Sequence, residues 1–221
     1  GTWPLKEKQD VVGEVRWYRV SEADTLVSIA RRFGIGYEAM LRANPTFDIW
    51  LPESERYLRL PTKFILPAGP KQGLVLNLAE MRLYHFPKED PLKVYSFPVG
   101  IGREGWETPV TVTQVVKKVV APAWYPPKSI REEALAKGHL LPDVVPAGPD
   151  NPLGSHALRL GLSSYLLHGT NRPAGVGMRV SHGCIRLYPE DIVHEIRPFI
   201  ENELVQYCED EMWIPDWVGN G

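Results

Sequence analysis

The chain predicts an α+β protein in which a small β-α-α-β unit is followed by a larger, mostly β region. Three observations carry this. Residues 16–61 hold a strand, two short amphipathic helices and a second strand in fewer than fifty positions. From residue 73 onward, short runs alternate apolar and other residues between turn-forming clusters, the period of half-buried strands. The 21 prolines, with few long periodic runs, favour strands and ordered loops over a helical bundle.

The elements follow in order. RWYRV is a short β-prone run. In SEADTLVSIARRFG, Asp24 or Thr25 stands where a helix cap is needed, and Leu26, Ile29, Ala30 and Phe33 line one apolar face. Gly34 suits the left-handed stop after the last turn. A second short helix is expected over Tyr37–Ala43, ending before Asn44-Pro45, and YLRLP closes the unit. PTKFILPAGPKQG is rich in Pro and Gly and reads as a linker. The expected boundaries are an N-terminal extension at 1–15, the first module at 16–61, a linker at 62–72, the main domain at 73–208 and a tail at 209–221. In the main domain LVLNLA, MRLYHF, LKVYSFPVG and the β-branched run PVTVTQVVKKVV read as strands. SIREEALAKG reads as a helix capped by Ser129 with Glu132 three residues on. HALRL and YLLH are short strands. PEDIVHEIRPFI reads as a helix with Pro189 at its first position and Pro198 ending or kinking it, and LVQYC is the last strand. The acidic tail, with its two Trp, either covers an apolar patch or is partly disordered.

Charge and composition exclude some functions. Twenty-five basic and 27 acidic residues are intermixed to a net charge of −2, so there is no basic field for nucleic acid. No run of 18 apolar residues occurs, and no membrane-spanning segment is expected. The chain starts Gly1-Thr2-Trp3, with neither Met nor a charged-then-apolar leader, so any secretion signal is expected to have been removed or left out. Two cysteines, Cys184 and Cys208, do not make a disulfide scaffold.

The chemistry gathers around VSHGCIRL, 180–187. A cysteine nucleophile needs a thiolate, a base, a group that holds the base, and backbone amides aimed at the developing oxyanion. Cys184 follows Gly183, whose bare backbone lets such amides approach closely. His182 lies two residues before it, and His168 ends the apolar run YLLH, where a strand end lets a side chain face a site. Arg186, two residues beyond Cys184, shares its face if the segment is extended. There a cation can hold a substrate carboxylate. Three plainer readings compete: a packed thiol, a zinc site made of His168, His182 and Cys184 without a fourth ligand at close spacing, and a Cys184–Cys208 disulfide.

Two stretches resemble known families. YRVSEADTLVSIARRFGIGYEAMLRANP resembles a LysM module, through Asp24-Thr25-Leu26, Ile29-Ala30, Phe33, Leu41 and Asn44-Pro45, with Ala23 where Gly is usual. HGTNRPAGVGMRVSHGCIRL resembles the signature of the YkuD family of L,D-transpeptidases, through His168, Gly169, Thr170, Ser181, His182, Gly183, Cys184 and Arg186. FPVGIGREGWETP and PAGPDNPLGSHALRL resemble further blocks of that family. The domain order resembles the ErfK/YbiS/YcfS/YnhG group of Gram-negative periplasmic enzymes.

The resemblance implies a LysM-like module that binds N-acetylglucosamine-containing glycans and a β-sandwich-like catalytic domain with the Cys loop over one sheet. It implies a peptidoglycan stem tetrapeptide as acyl donor, a periplasmic location, and acylation by some β-lactams, carbapenems among them. Cys184 is the implied nucleophile and His168 its base, held by a backbone carbonyl near Gly169. The amides of Gly183 and Cys184 form the oxyanion site, and His182 shapes the pocket as the alternative base. Arg186, Ser181, Gly169 and Thr170 complete the substrate pocket, with Ser181 mainly structural. No metal or other cofactor is required. The acceptor stays open between a second stem peptide, the C-terminal Lys of an outer-membrane lipoprotein, and water. A glycan-binding wall protein with an inactive second domain is the non-enzymatic alternative. Segment 121–150 is either a lid over the cleft or a cover for the sheet.

Overall fold

The computed structural model describes residues 1–6, 8–162, 164–196 and 204–209. Two short strands come first, β1 (Thr2–Pro4) and β2 (Val11–Gly13). The β-α-α-β unit then follows as β3 (Arg16–Arg19), α1 (Leu26–Arg32), α2 (Tyr37–Ala43) and β4 (Tyr57–Leu60). Thr25 is the cap of α1: its Oγ1 accepts from the Ser28 amide at 3.0 Å, and its own amide donates to Ser28 Oγ at 2.9 Å. Asp24 instead accepts from Tyr18 Oη at 2.7 Å and the Ser21 amide at 2.9 Å. Leu26, Ile29, Ala30, Ile35, Met40, Leu58 and Leu60 close a small separate core. Gly34 takes φ 63°, the left-handed stop expected after α1.

The main domain continues with β5 (Lys63–Ile65), β6 (Gly73–Asn77), β7 (Arg82–Phe86), β8 (Lys93–Pro98), β9 (Ile101–Gly102) and β10 (Val112–Val120). Helix α3 (Lys128–Ala136) precedes β11 (His156–Leu160), β12 (Leu166–His168), β13 (Arg179–Ser181) and β14 (Ile185–Arg186). A wide π-type turn at Asp191–Ile196 leads on to β15 (Leu204–Cys208). Nine strands form one sheet in the order β1-β8-β7-β6-β15-β10-β11-β12-β14. β15 lies parallel to β6 and antiparallel to β10, so the last strand joins the two halves of the sheet.

Three expectations change here. Residues 1–15, expected as an N-terminal extension, carry two paired strands: β1 pairs with β8, and β2 pairs with β5, which lies within the expected linker. The physical reason is a second core. Alternate residues of β6 and β7 enter opposite clusters: Leu74, Leu76 and Leu83 on one side, Val75, Tyr84 and Phe86 on the other. Val12, Phe64 and Leu66 cover the second side, which is why β6 and β7 are buried throughout instead of alternating. Helix α3 starts at Lys128 after Pro127, and no side chain caps it. Glu132 pairs with Lys128 at 3.6 Å instead of closing a box with Ser129. The stretch after Pro189 forms the π-type turn where an ordinary helix was expected. Its continuation through Pro198, and the tail beyond Glu209, lie outside the described residues.

The two domains are joined tightly. The amides of Tyr37 and Glu38 donate to the carbonyls of Val176 and Gly177 at 3.0 and 3.1 Å. A Cβ on Gly177 would come within 2.3 Å of Gly36 Cα, so only glycine fits, and its φ of 81° requires the same. Arg31 holds Glu190 with two bonds of 2.8 Å. Tyr188 Oη donates to the Ile35 carbonyl at 3.2 Å. Buried Arg82 donates to Ser96 Oγ at 2.7 Å and to the Gly34 carbonyl at 3.0 Å, with its guanidinium 3.9 Å from the Phe64 ring centre.

Candidate active site

β12 and β14 run parallel, with Leu167 opposite Ile185 and His168 opposite Arg186. This pairing brings the end of the YLLH run beside the chain that follows Cys184. His168 is buried, and its Nδ1 lies 2.5 Å from the Gly169 carbonyl. A carbonyl only accepts, so Nδ1 carries the hydrogen and Nε2 keeps the lone pair. The expected backbone orienter is therefore present. Cys184 Sγ donates to the Ser164 carbonyl at 3.6 Å and receives the Leu166 amide. The register sets His168 opposite Arg186, two residues from Cys184, so the three residues share one neighbourhood.

Burial sets the protonation of the pair. It pushes His168 down to about 4, with the Arg186 charge adding to the effect and the Gly169 carbonyl opposing it. Burial also pushes the Cys184 thiol up, against the Leu166 amide and Arg186. Both shifts favour the neutral pair, thiol and imidazole, over a resting thiolate–imidazolium pair. Arg186 itself is depressed by burial and by the neighbouring charge of Arg172.

The loop is shaped by hydrogen bonds. Ser181 Oγ donates to the Cys184 carbonyl at 2.6 Å and accepts from the Gly183 amide at 3.1 Å. Thr108 Oγ1 donates to the Gly183 carbonyl at 2.8 Å and accepts from the Gly102 amide at 3.1 Å. Gly183 has φ 99°, and a Cβ there would meet the Tyr165 ring at 2.8 Å. The amide of Gly183, expected to serve the oxyanion, is hydrogen-bonded within the loop. Its N–H is engaged by Ser181, while the amide of Cys184 has no acceptor among the described residues. Thr170 Oγ1 accepts from the Arg172 amide at 2.9 Å, which makes it a turn former in this state. Neither cysteine is in a disulfide, so the disulfide reading does not hold. Among the described residues no three His, Cys, Asp or Glu side chains converge as metal ligands.

His182 stands in a different cluster. Its Nε2 lies 2.9 Å from Glu133 Oε2 and 3.1 Å from Arg103 Nη2, and its ring meets Trp106 edge to face at 4.7 Å. As a donor Nε2 serves Glu133, and as an acceptor it serves Arg103, so it is engaged in either tautomer. Glu133 also binds Lys137, and its carboxyl is held down to about 2, first by Lys137 and then by His182. Glu133 belongs to α3, inside segment 121–150. That helix buries none of its residues, and its Glu133 carboxylate reaches His182 and Arg103. The sequence reading missed Glu133, Arg103, Trp106 and Thr108. The last three lie in FPVGIGREGWETP, which carried a signal as a block, whereas nothing in the sequence singled out Glu133.

Comparison with known proteins identifies the family. Residues 71–194 match the L,D-transpeptidase catalytic domain (YkuD) and residues 18–50 match the LysM domain. The chain belongs to the YkuD family of L,D-transpeptidases and carries a LysM domain ahead of its catalytic domain. It is 44% identical over 198 residues to "Probable L,D-transpeptidase YcfS" of Escherichia coli K12, across 86% of this chain and 61% of that one. It is 45% identical over 195 residues to "Probable L,D-transpeptidase ErfK/SrfK" of the same organism, across 86% of this chain and 62% of the relative. The chain thus spans about three-fifths of the length of these curated relatives. L,D-transpeptidase 3 from Mycobacterium tuberculosis overlaps with a TM-score of 0.47 at 17% identity, over 95% of this chain and 98% of that one. Family membership rests on the sequence matches. Among the described residues no helix is long and apolar enough to cross a membrane.

Proposed function

We propose that the protein is a cysteine L,D-transpeptidase of the bacterial cell wall, acting on peptidoglycan stem tetrapeptides in the periplasm through a thioacyl enzyme. The observation that carries this reading is the His168 imidazole, fixed by the Gly169 carbonyl with Nε2 left basic, on the strand paired with the one that follows Cys184. In the proposed step, His168 Nε2 takes the thiol proton as Cys184 Sγ attacks the carbonyl carbon of the third stem residue. Proton transfer accompanies attack, because burial favours the neutral thiol and imidazole at rest. The amide of Cys184 donates to the developing oxyanion, a contact worth about 3 kcal/mol in such sites. The bond to the terminal D-Ala breaks, its nitrogen takes the proton from His168, and a thioester remains. An acceptor amine then attacks the thioester and the thiol is restored. Arg186 lies near the thiol with its Nε buried and unpartnered among the described residues, which suits it to a substrate carboxylate.

The favoured acceptor is a second stem peptide, giving a crosslink. A lipoprotein lysine or water would use the same chemistry and is distinguished by product. The strained carbonyl of a carbapenem is the same kind of electrophile and should trap Cys184. The LysM domain is assigned to glycan strands.

The test is intact-protein mass spectrometry after mixing with a disaccharide-tetrapeptide. The parent should gain the acyl mass lacking D-Ala, and Cys184→Ala should gain nothing. An equal adduct in both, or release of D-Ala by Cys184→Ser at the parent's rate, removes the mechanism.

A further inference from the structure

We propose that His182, oriented by Glu133, is the base of the second half-reaction and takes the proton that an acceptor amine must lose as it attacks the thioester. The proposal rests on the transpeptidase reading above and gives a base to a step which that reading leaves without one.

Hydrogen positions single out one ring nitrogen. His182 Nε2 lies 2.9 Å from Glu133 Oε2. A carboxylate only accepts, so this contact requires the hydrogen on Nε2. Arg103 Nη2, 3.1 Å from the same nitrogen, does not compete for that place. Its two hydrogens have two nearer partners, Glu133 Oε1 and Oε2, at 2.6 Å each. In the neutral ring the lone pair therefore sits on Nδ1. Among the described residues no group hydrogen-bonds Nδ1. Lys137 first and His182 next hold the Glu133 carboxyl down to about 2, so it is charged at neutral pH. A carboxylate on one nitrogen and a free lone pair on the other make imidazole an oriented general base.

The ring is fixed, and it is tied to the sulfur. Trp106 meets it edge to face, with ring centres 4.7 Å apart. His182 and Cys184 are two residues apart, which limits their Cα separation to about 7 Å. The turn between them is pinned from both ends. The Arg103 amide donates to the Ser181 carbonyl at 3.1 Å, and Ser181 Oγ donates to the Cys184 carbonyl at 2.6 Å. A Cβ on Gly183 would stand 3.5 Å from the Trp106 carbonyl, so the thiol loop packs against the segment that holds the His182 ring. The His182 side chain keeps 30% of its surface exposed, whereas His168 is buried. The exposed imidazole is the one that an acceptor arriving from solvent can reach.

The step balances. The acceptor ammonium loses one proton to water. Its nitrogen attacks the thioester carbonyl carbon, the C–N bond forms, and a second proton passes to His182 Nδ1. The C–S bond breaks with its electron pair on sulfur. The thiolate takes a proton from water, and the imidazolium returns its own to water. His168 thus serves the first half-reaction and His182 the second.

The experiment reads the two half-reactions apart. Thioacyl enzyme is formed with disaccharide-tetrapeptide, freed of donor, and mixed at pH 7 with an amine-bearing stem peptide or with hydroxylamine. Mass spectrometry follows loss of the adduct. Hydroxylamine is already neutral at that pH and needs no base. His182→Ala should slow resolution by the peptide about 10³-fold, far beyond its loss in acylation. Glu133→Gln keeps an acceptor oxygen without the charge, and should slow resolution about tenfold with acylation within about threefold of the parent. Hydroxylamine should clear every adduct within about threefold of the parent rate. Glu132→Gln, the neighbouring carboxylate of α3, is the control and should match the parent throughout. Circular dichroism verifies that each variant folds. Equal losses in acylation and resolution, or losses with hydroxylamine as large as with the peptide, make the cluster a structural prop and overturn the proposal. A parent that forms no adduct removes the transpeptidase reading itself, and the proposal with it.

Discussion

His168 is a buried imidazole whose burial has consequences beyond its proposed role in catalysis. Both His168 and His85 are pushed by burial from the ordinary histidine value to about 4. Between about pH 4 and 6.5 the unfolded chain therefore binds protons that the folded chain does not. Stability contributed by these two groups is complete above the unfolded value and is lost as pH falls through 4. Each contributes about 3 kcal/mol by this linkage. The urea midpoint should fall clearly between pH 7 and pH 4.5, and an unchanged midpoint would show that neither imidazole is held neutral. The two active-site histidines should separate as well. His168→Ala removes the proposed base and should lower Cys184 acylation by about 10³-fold at pH 7. His182→Ala disturbs only the pocket wall and should cost about tenfold. Acylation rates of the two variants would reverse the assignment if their order were inverted.

At the scale of elements, α3 is the least supported part of the site. Nine residues with no cap and none buried do not make a stable helix alone. The cluster of Glu133 with His182, Arg103 and Lys137 is its tie to the active-site face. Glu133→Gln should raise amide hydrogen exchange across Lys128–Ala136 by about tenfold while the melting temperature stays within about 2 °C, since no core is touched. Unchanged exchange would mean that the loops on either side hold the helix. The sequence made some elements legible and hid others for physical reasons. The apolar face Leu26, Ile29, Ala30 and the Thr25 cap are local patterns, and α1 follows from them. The His168-to-Cys184 signature is likewise local, so the heart of the site could be read. Pairing of β1 with β8 spans about ninety residues, and β15 enters beside β6 from far along the chain. Nothing in a three-residue strand names its partner. The same holds for Glu133, whose meaning comes from His182 across a distance of 49 residues.

Across the whole molecule, the junction between domains behaves as core. Gly36 and Gly177 touch backbone to backbone, and buried Arg82 crosses from the sheet to the end of α1. Gly177→Ala combines a strained φ with a Cβ 2.3 Å from Gly36 Cα. It should lower the melting temperature by roughly 5 °C or more. Gly138→Ala, with φ 79° and open space around it, is the control for backbone strain alone and should cost less. Equal losses would mean that the contact contributes nothing beyond strain.

The segment gripped by α2 is the one that runs from His168 to Cys184, through the carbonyls of Val176 and Gly177. The first domain therefore does not hang from the second like a hook on a cord. It leaves the sulfur no arc to sweep and no slack to take up. On the proposed function, whatever the first domain holds would be worked on by the second at one reach and one bearing, so spacing along the polymer would be written into the products.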